Sequence, residues 1–303
     1  MNGSPRVSVV IPAYHSHATI GACFSALGRQ TRPPDEIIVV NSSAESATVA
    51  IVKEQYPKVI FEQSPVRLLP HAARNRGVEL ASGEILVFTD PDCEAEPDWL
   101  ASLLAGVATG HRCFVGAMDI GRNTWWQAGV HLCKFHPLLP GLAAGPREHA
   151  CTANACYTRA LWQQIGPFPR GVFCGDGVLS WRAAKAGQAP RFLPGAVVKH
   201  DHDAGILNLC RQRFRRGQEY GRVRMELAGD ARRRVWLSLL LSPAALPWVL
   251  ARAAADARRA GWSMRFLSTF PVQVMGHALW GLGECSAALL SPRAQLLQAT
   301  ELF

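Results

Sequence analysis

Several common signatures are missing from this chain. Its nine cysteines are odd in number and scattered, with no Cys-x-x-Cys pair, so neither a disulfide framework nor a zinc site is indicated and a reducing compartment fits best. No Gly-x-Gly-x-x-Gly follows the first apolar run, whose turn reads Pro12-Ala13-Tyr14-His15-Ser16, and no Walker-type lysine loop occurs. A dinucleotide fold and a P-loop enzyme are therefore disfavoured. The N-terminus has no basic segment leading into a long apolar run, because Val7–Ile11 is cut short by Pro12, and the body of the protein is expected in the cytoplasm. Lysine is absent from residue 205 onward, where 14 arginines face six acidic residues, a net of +8 against +1 for the preceding 204 residues. This basic, apolar tail has no aromatic-basic interleaving and no nucleic-acid motif, so it points to an anionic membrane surface and not to nucleic acid.

What is present is enough to fill a large core: 303 residues, 49% of them hydrophobic. Buried-strand runs and helical spacings alternate from the start. Arg6–Ile11 reads as a strand and Ala18–Arg29 as a helix, followed by Glu36–Val40, Ser46–Tyr56 and Val59–Phe61 as strand, helix and strand. Further strands are expected at Ile85–Phe88, Cys113–Met118, Thr152–Tyr157 and Ala196–Lys199, with helices from Trp99, over Arg159–Ile165 and over Val178–Ala186. Such alternation predicts an α/β fold built on a Rossmann-like, mainly parallel, doubly wound sheet. The stretch 122–147 has no clear period; its aromatic residues suit either acceptor contacts or packing.

The segment Gly83–Trp99, GEILVFTDPDCEAEPDW, is the chemical focus. A buried strand ends in Asp90 and Asp92, two carboxylates one residue apart at a carboxyl edge, where open α/β sheets bind ligands. Hard oxygen donors in this spacing can hold Mg²⁺ or Mn²⁺ on a diphosphate, or can form a solvated turn. Tyr14 can stack on a base or pack in its loop, and Asn41 can bond a nucleoside or serve turn chemistry. Arg74 can place a cation near a phosphate or lie on a surface helix. Asp176, near a helix start, can act as a general base or favour the helix terminus; His200 and His202 can complete a metal site or be structural.

Taken in order, VSVVIPAYH, DEIIVVNSS, AARNRGVELASGEILVFTDPDCEAEPDWL, TANACYTRALWQQIGPFP, GDGVLSWRAAKAG and VVKHDH resemble the family 2 glycosyltransferases of the GT-A fold, over about Val7 to His202. The resemblance implies an inverting, metal-dependent transfer of a sugar from a nucleotide-sugar donor to an acceptor hydroxyl. It makes Asp90 and Asp92 the Asp-x-Asp pair, with Asp92 the direct metal ligand and His200 able to approach the ion, and it makes Asp176 the catalytic base. Tyr14 and Asn41 fall in nucleoside-binding segments, with Pro12 beside Tyr14 as a further donor-binding candidate, and Trp181-Arg182 where acceptor- or phosphate-facing residues occur. Two departures stand out: Asn41 replaces the usual Asp, and Gly175-Asp176 replaces the usual Glu-Asp. A catalytically inactive nucleotide-sugar-binding or scaffold relative is the alternative these departures leave open.

The expected domains are a GT-A unit over 1–204, its nucleotide-sugar half ending near 118 and its acceptor half near 204, and a helical region over 205–303. Ile206–Arg224 reads as a basic amphipathic helix. Val235–Ala251 is broken by Pro243 and Pro247, and Phe266–Leu290 contains Gln273, His277 and Glu284. Arginines flank the first stretch on both sides, which favours a re-entrant or interfacial hairpin over a simple crossing; a soluble helical subdomain packed against the catalytic domain is the other reading. The expected place is the cytoplasmic face of the inner or plasma membrane, with a glycan or lipid-linked acceptor.

Overall fold

The computed structural model describes residues 4–202 and 205–290. The chain divides into two compact units, one formed by residues up to Gly121 together with Ala143–His200, the other by Arg122–Leu142 together with the chain from Asp201 onward. The segment 122–142 therefore clusters with the C-terminal helices.

The first unit contains β1 (Val7–Ala13), α1 (Ile20–Gly28), β2 (Glu36–Asn41), α2 (Ser46–Gln55), β3 (Ile60–Gln63), α3 (Pro70–Leu80), β4 (Ile85–Thr89), β5 (Cys93–Ala95), α4 (Trp99–Val107) and β6 (Cys113–Ile120). After the second unit's α5 (Trp125–Phe135) come β7 (Gly145–Pro146), β8 (Asn154–Thr158), α6 (Arg159–Ile165), α7 (Gly175–Lys185) and β9 (Arg191–His200). All nine strands join one sheet in the order β3-β2-β1-β4-β8-β6-β9-β5, with β7 on β9. Parallel pairing holds from β3 through β4, as the alternating pattern predicts. Beyond β4 the sheet is mixed, because β8 runs antiparallel to both β4 and β6.

Both faces of the inner strands are covered, so β1 and β4 are buried at every position. Phe88 of β4 packs against Trp162 and Phe168, ring centroids 5.5 and 5.4 Å away. Asn154 is the polar residue that knits the far half together. It accepts from Trp99 Nε1 at 2.8 Å and donates to the Ala117 and Ala196 carbonyls at 2.9 and 2.8 Å, across the register shift between Gly116 and Ala117. A buried amide so satisfied costs little, whereas an unpaired one would be strongly destabilising.

The second unit holds α5, α8 (Ile206–Glu226), α9 (Arg232–Leu240), α10 (Leu246–Arg259), α11 (Ser263–Ser268) and α12 (Phe270–Leu290). Its axis is the pair α8 and α12, which meet almost backbone to backbone: a Cβ on Gly217 would lie 2.3 Å from the Trp280 carbonyl oxygen, and one on Gly283 2.2 Å from that of Phe214. Arg213 is buried between them, its Nε donating to the Gly276 carbonyl at 3.2 Å and its guanidinium 4.5 Å from the Trp280 ring centroid. The helix α5 escaped the sequence pattern because Gln127–Cys133 is buried on all sides, leaving no amphipathic period. Among the described residues no single helix is long and apolar enough to cross a membrane; Gly229–Leu240 and Ser242–Arg259 pass that test only as a pair, bent by 63° at the Pro243 region.

Close glycine packing makes a direct prediction. Gly217→Ala should lose about 1–3 kcal/mol of stability by overpacking, whereas Gly28→Ala, with open space around its Cβ at the end of α1, should be neutral or gain roughly 0.5 kcal/mol. Denaturant unfolding of the two variants beside wild type checks both signs.

Candidate active site

The parallel registry of β1 with β2 and β4 aligns their carboxyl ends, so Tyr14, Ser42 and Asp90 leave the sheet along one edge. An open cleft of about 250 Å³ lies there, bordered by Pro12, Tyr14, Ser42, Arg67, Arg74, Asp90, Asp92 and Phe173. Each wall has a local cause. Helix α3 can approach β1 because Gly77 faces Val10, whose Cγ1 would be 2.4 Å from an added Cβ. That approach delivers Arg74, one turn earlier, to the edge.

Arg74 is 2% exposed and ion-paired with Asp90. Its Nη1 also makes a long 3.5 Å contact with His71 Nδ1, while its buried Nε has no hydrogen-bond partner among the described residues. A buried guanidinium with an uncommitted N–H suits an anionic ligand, since an unpaired buried donor is costly. Asp92, past Pro91, turns the other way. Antiparallel pairing of β5 with β9 sets Cys93 opposite His200, and His200 Nε2 lies 3.8 Å from Asp92 Oδ1. Ligand atoms of Asp92, Cys93 and His200 all fall within 4.8 Å of one another. Two ligands each about 2.1 Å from a common ion sit up to roughly 4.2 Å apart, so the Asp92–His200 spacing fits. The Cys93 thiol is pushed well up by burial and then by Asp92 and Asp90. The Asp92 carboxylate is the hard donor that suits Mg²⁺ or Mn²⁺, and His200 adds an imidazole nitrogen beside it.

The Asp-x-Asp pair thus divides: Asp90 holds the arginine and Asp92 faces the histidine. Asp176 lies in the first turn of α7, which begins earlier than its apolar period suggests, and its Oδ1 accepts from the Gly177 N–H at 2.9 Å. The charges of Asp176, Asp90 and Arg74 all act on both His71 and Cys151, though Asp176 is not among the residues that border the cleft.

Other expected residues are placed elsewhere. Asn41 is fully buried and does not border the cleft; it sits opposite Gln63 in the β2–β3 register, donates to Gln63 Oε1 at 2.8 Å and accepts from Ser43 Oγ at 3.0 Å. Its neighbour Ser42 reaches the cleft instead. Arg182 Nη1 donates to the Pro167 and Ile165 carbonyls at 2.9 and 3.3 Å and holds the turn between α6 and α7. Trp181 stacks edge-on against His149 at 5.7 Å. His202, buried in the second unit, contacts His131 at 3.1 Å. Two residues border the cleft without a sequence signal, Arg67, whose guanidinium lies 4.5 Å from the centroid of the Tyr14 ring, and Phe173; a third, His71, does not border it but contacts Arg74.

His71 is 3% exposed and its ordinary pKa falls to about 4, through burial first and then the Arg74 charge. Unfolded chains take up this proton as pH drops below about 6.5, and the folded protein does so only near 4. Stability present above pH 6.5 is therefore lost between 6.5 and 4. His71→Gln should flatten that part of a melting-temperature profile relative to wild type.

Comparison with known proteins agrees with the geometry. The model of glycosyl transferase family 2 matches residues 8–166. The glycosyltransferase AglE of Haloferax volcanii is 28% identical over 85% of this chain and 86% of its own length. The succinoglycan biosynthesis protein ExoM of Rhizobium meliloti is 26% identical over 71% of this chain and 78% of its own. Among solved structures, the mannosyltransferase PcManGT of Pyrobaculum calidifontis, in complex with GDP-Man and Mn²⁺, superposes with a TM-score of 0.63 at 20% identity, covering 96% of this chain and 89% of that one. The fold is that of these GT-A glycosyltransferase neighbours, and the chain belongs to glycosyl transferase family 2.

Proposed function

We propose that this glycosyltransferase moves a sugar from a nucleotide-diphosphate donor to an acceptor hydroxyl with inversion, in the synthesis of a cell-surface or lipid-linked glycan at the cytoplasmic face of a membrane. The observation that carries the reading is the pairing of two devices at one strand edge, Arg74–Asp90 and Asp92–His200. The first offers a buried cation to a phosphate, and the second offers an oxygen and a nitrogen to a divalent ion. The complex of PcManGT with GDP-Man and Mn²⁺ favours the same ligand pair here, and the match to ExoM favours polysaccharide synthesis.

Asp92 and His200 would hold Mg²⁺ or Mn²⁺, which neutralises charge developing on the leaving diphosphate. Tyr14, backed by Arg67, presents an aromatic face at the cleft mouth for the base. Arg74 draws the diphosphate against Asp90's edge. Asp176 takes the acceptor's proton as its oxygen bonds to the anomeric carbon and the bond from that carbon to phosphate breaks; one attack from the opposite face inverts the centre. A positioned carboxylate of this kind typically contributes about 10² to 10⁴ in rate.

The helical unit supports a membrane-surface acceptor. In α10 and the turn before it, Leu241, Ala244, Trp248 and Ala251 form an exposed stripe at helical spacing, opposite the buried Ala253 and Ala257. Trp236 and Leu237 of α9 are also exposed, next to Arg232–Arg234. Exposed tryptophan and leucine flanked by arginines is the composition of an interfacial helix on anionic lipid. All nine cysteines are free, which suits the reducing side of a membrane.

Two experiments test these claims. Full-length protein should release nucleotide from one member of a panel of UDP-, GDP- and dTDP-sugars in the presence of Mn²⁺, and chelator, Asp92→Ala and Asp176→Asn should each lower that release at least about 100-fold; donor binding with no turnover under any condition would favour an inactive relative. In vesicle co-sedimentation, the protein should pellet with phosphatidylglycerol-rich but not with pure phosphatidylcholine vesicles. Leu241→Ala with Trp248→Ala should weaken the interaction about tenfold or more, from the apolar area they withdraw, and equal binding by the double variant would remove the α10 stripe from the account.

A further inference from the structure

The acidic pair expected before α7 is Gly175-Asp176 here, and the structure gives the glycine a cause. A Cβ on Gly175 would lie 2.8 Å from Cδ2 and 3.0 Å from Cγ of His71. The imidazole fills the space where a side chain at 175 would start. The same ring reaches in three directions. Nε2 is 3.0 Å from the Phe173 carbonyl, Nδ1 is 3.5 Å from Arg74 Nη1, and the ring packs on Phe168 with centroids 4.6 Å apart. A carbonyl only accepts, so Nε2 carries the proton; a guanidinium only donates, so Nδ1 presents its lone pair. Both contacts use the neutral imidazole, the form its burial favours.

We propose that His71 is a positioning residue of the transfer reaction: it fastens the backbone of Phe173–Gly175, and so the first turn of α7 that carries Asp176, to the arginine that receives the donor diphosphate. Gly175 is the partner that this fastening requires. The inference rests on Asp176 as the base. It adds that anion capture at Arg74 and presentation of Asp176 form one mechanical unit, with His71 on α3 touching both. His71 contacts no reacting atom and acts through Arg74 and the 173–175 backbone. The short loop also places Phe173 on the cleft wall; Arg74 keeps its ion pair with Asp90 when the His71 contact is lost, so loosening the loop displaces Asp176 more than it displaces Arg74.

Hydrogen–deuterium exchange of the full chain over residues 170–178 reads the fastening without any substrate. His71→Phe keeps a ring in the space and removes both nitrogen contacts. Exchange in this segment should rise about tenfold or more while the rest of the sheet is unchanged. With whichever of UDP-glucose, UDP-N-acetylglucosamine or GDP-mannose the wild type turns over, kcat should fall about 10- to 100-fold with donor KM within about threefold, as expected of a misplaced catalytic group. His71→Gln, which can still donate to the Phe173 carbonyl, should recover part of kcat. Gly175→Ala should be impaired alone and improved by adding His71→Ala, because the clash then disappears. Wild-type exchange and kcat in His71→Phe, or a Gly175→Ala/His71→Ala pair that falls by the product of its singles, overturns the proposal. Asp176→Asn run in parallel separates the two layers: its inactivity beside a fully active His71→Phe rejects His71 alone, whereas its full activity rejects the base assignment beneath it.

Discussion

The ion pair of Arg74 with Asp90 is the constraint around which the first unit is organised. A guanidinium almost wholly removed from water needs a charge partner and further hydrogen-bond acceptors, or its desolvation goes uncompensated. Asp90 reaches it because β4 is a fully buried strand that stops one residue before it, and Arg74 reaches Asp90 because Gly77 lets α3 lie close on β1. Once Asp90 is so committed, the two carboxylates of the Asp-x-Asp pair have different tasks. Asp92, beyond Pro91, faces His200, which β9 brings in from the other half of the sheet through its pairing with β5. In the proposed reaction, one half of the sheet therefore supplies the cation for a phosphate and the other a donor for a metal ion.

Much of this was legible in the residues. The alternation of buried runs and helical spacings predicts β1 through β4 to within a residue or two; β1, β2 and β4 are legible because strands covered on both faces read as continuous apolar runs. Asp90, Asp92, Arg74 and Tyr14 were identified as a set and do border one cleft. The expected roles of Asn41 and Arg182 depended on where their side chains turn, which strand register and local carbonyls decide. Gln63 across β3 claims the Asn41 amide, and the Pro167 turn claims the Arg182 guanidinium. His71 was invisible for the opposite reason: a single histidine inside Pro70-His71-Ala72-Ala73 has no spacing signal, and its meaning comes from Gly175, more than a hundred residues away. The antiparallel insertion of β8 was likewise unreadable, since an apolar strand carries no mark of its direction.

The second unit follows a different economy of packing. Its central helices α8 and α12 pair through glycines at backbone distance and share a buried arginine, so the apolar residues left over at Leu241, Trp248, Leu282 and Leu289 face outward. Their exposure, together with the arginine-rich composition of the region, is what supports the proposal that this transferase works at a lipid surface.

The central claim is that Asp92 and His200 form the ion site that accompanies a nucleoside diphosphate on Arg74. Electron paramagnetic resonance of Mn²⁺ titrated into the full-length protein, with and without UDP or GDP, tests it most directly. One bound Mn²⁺ whose affinity rises with one of the nucleotides, and falls at least about tenfold in Asp92→Asn and in His200→Ala, is the predicted result. Undiminished Mn²⁺ binding in both variants would contradict the account.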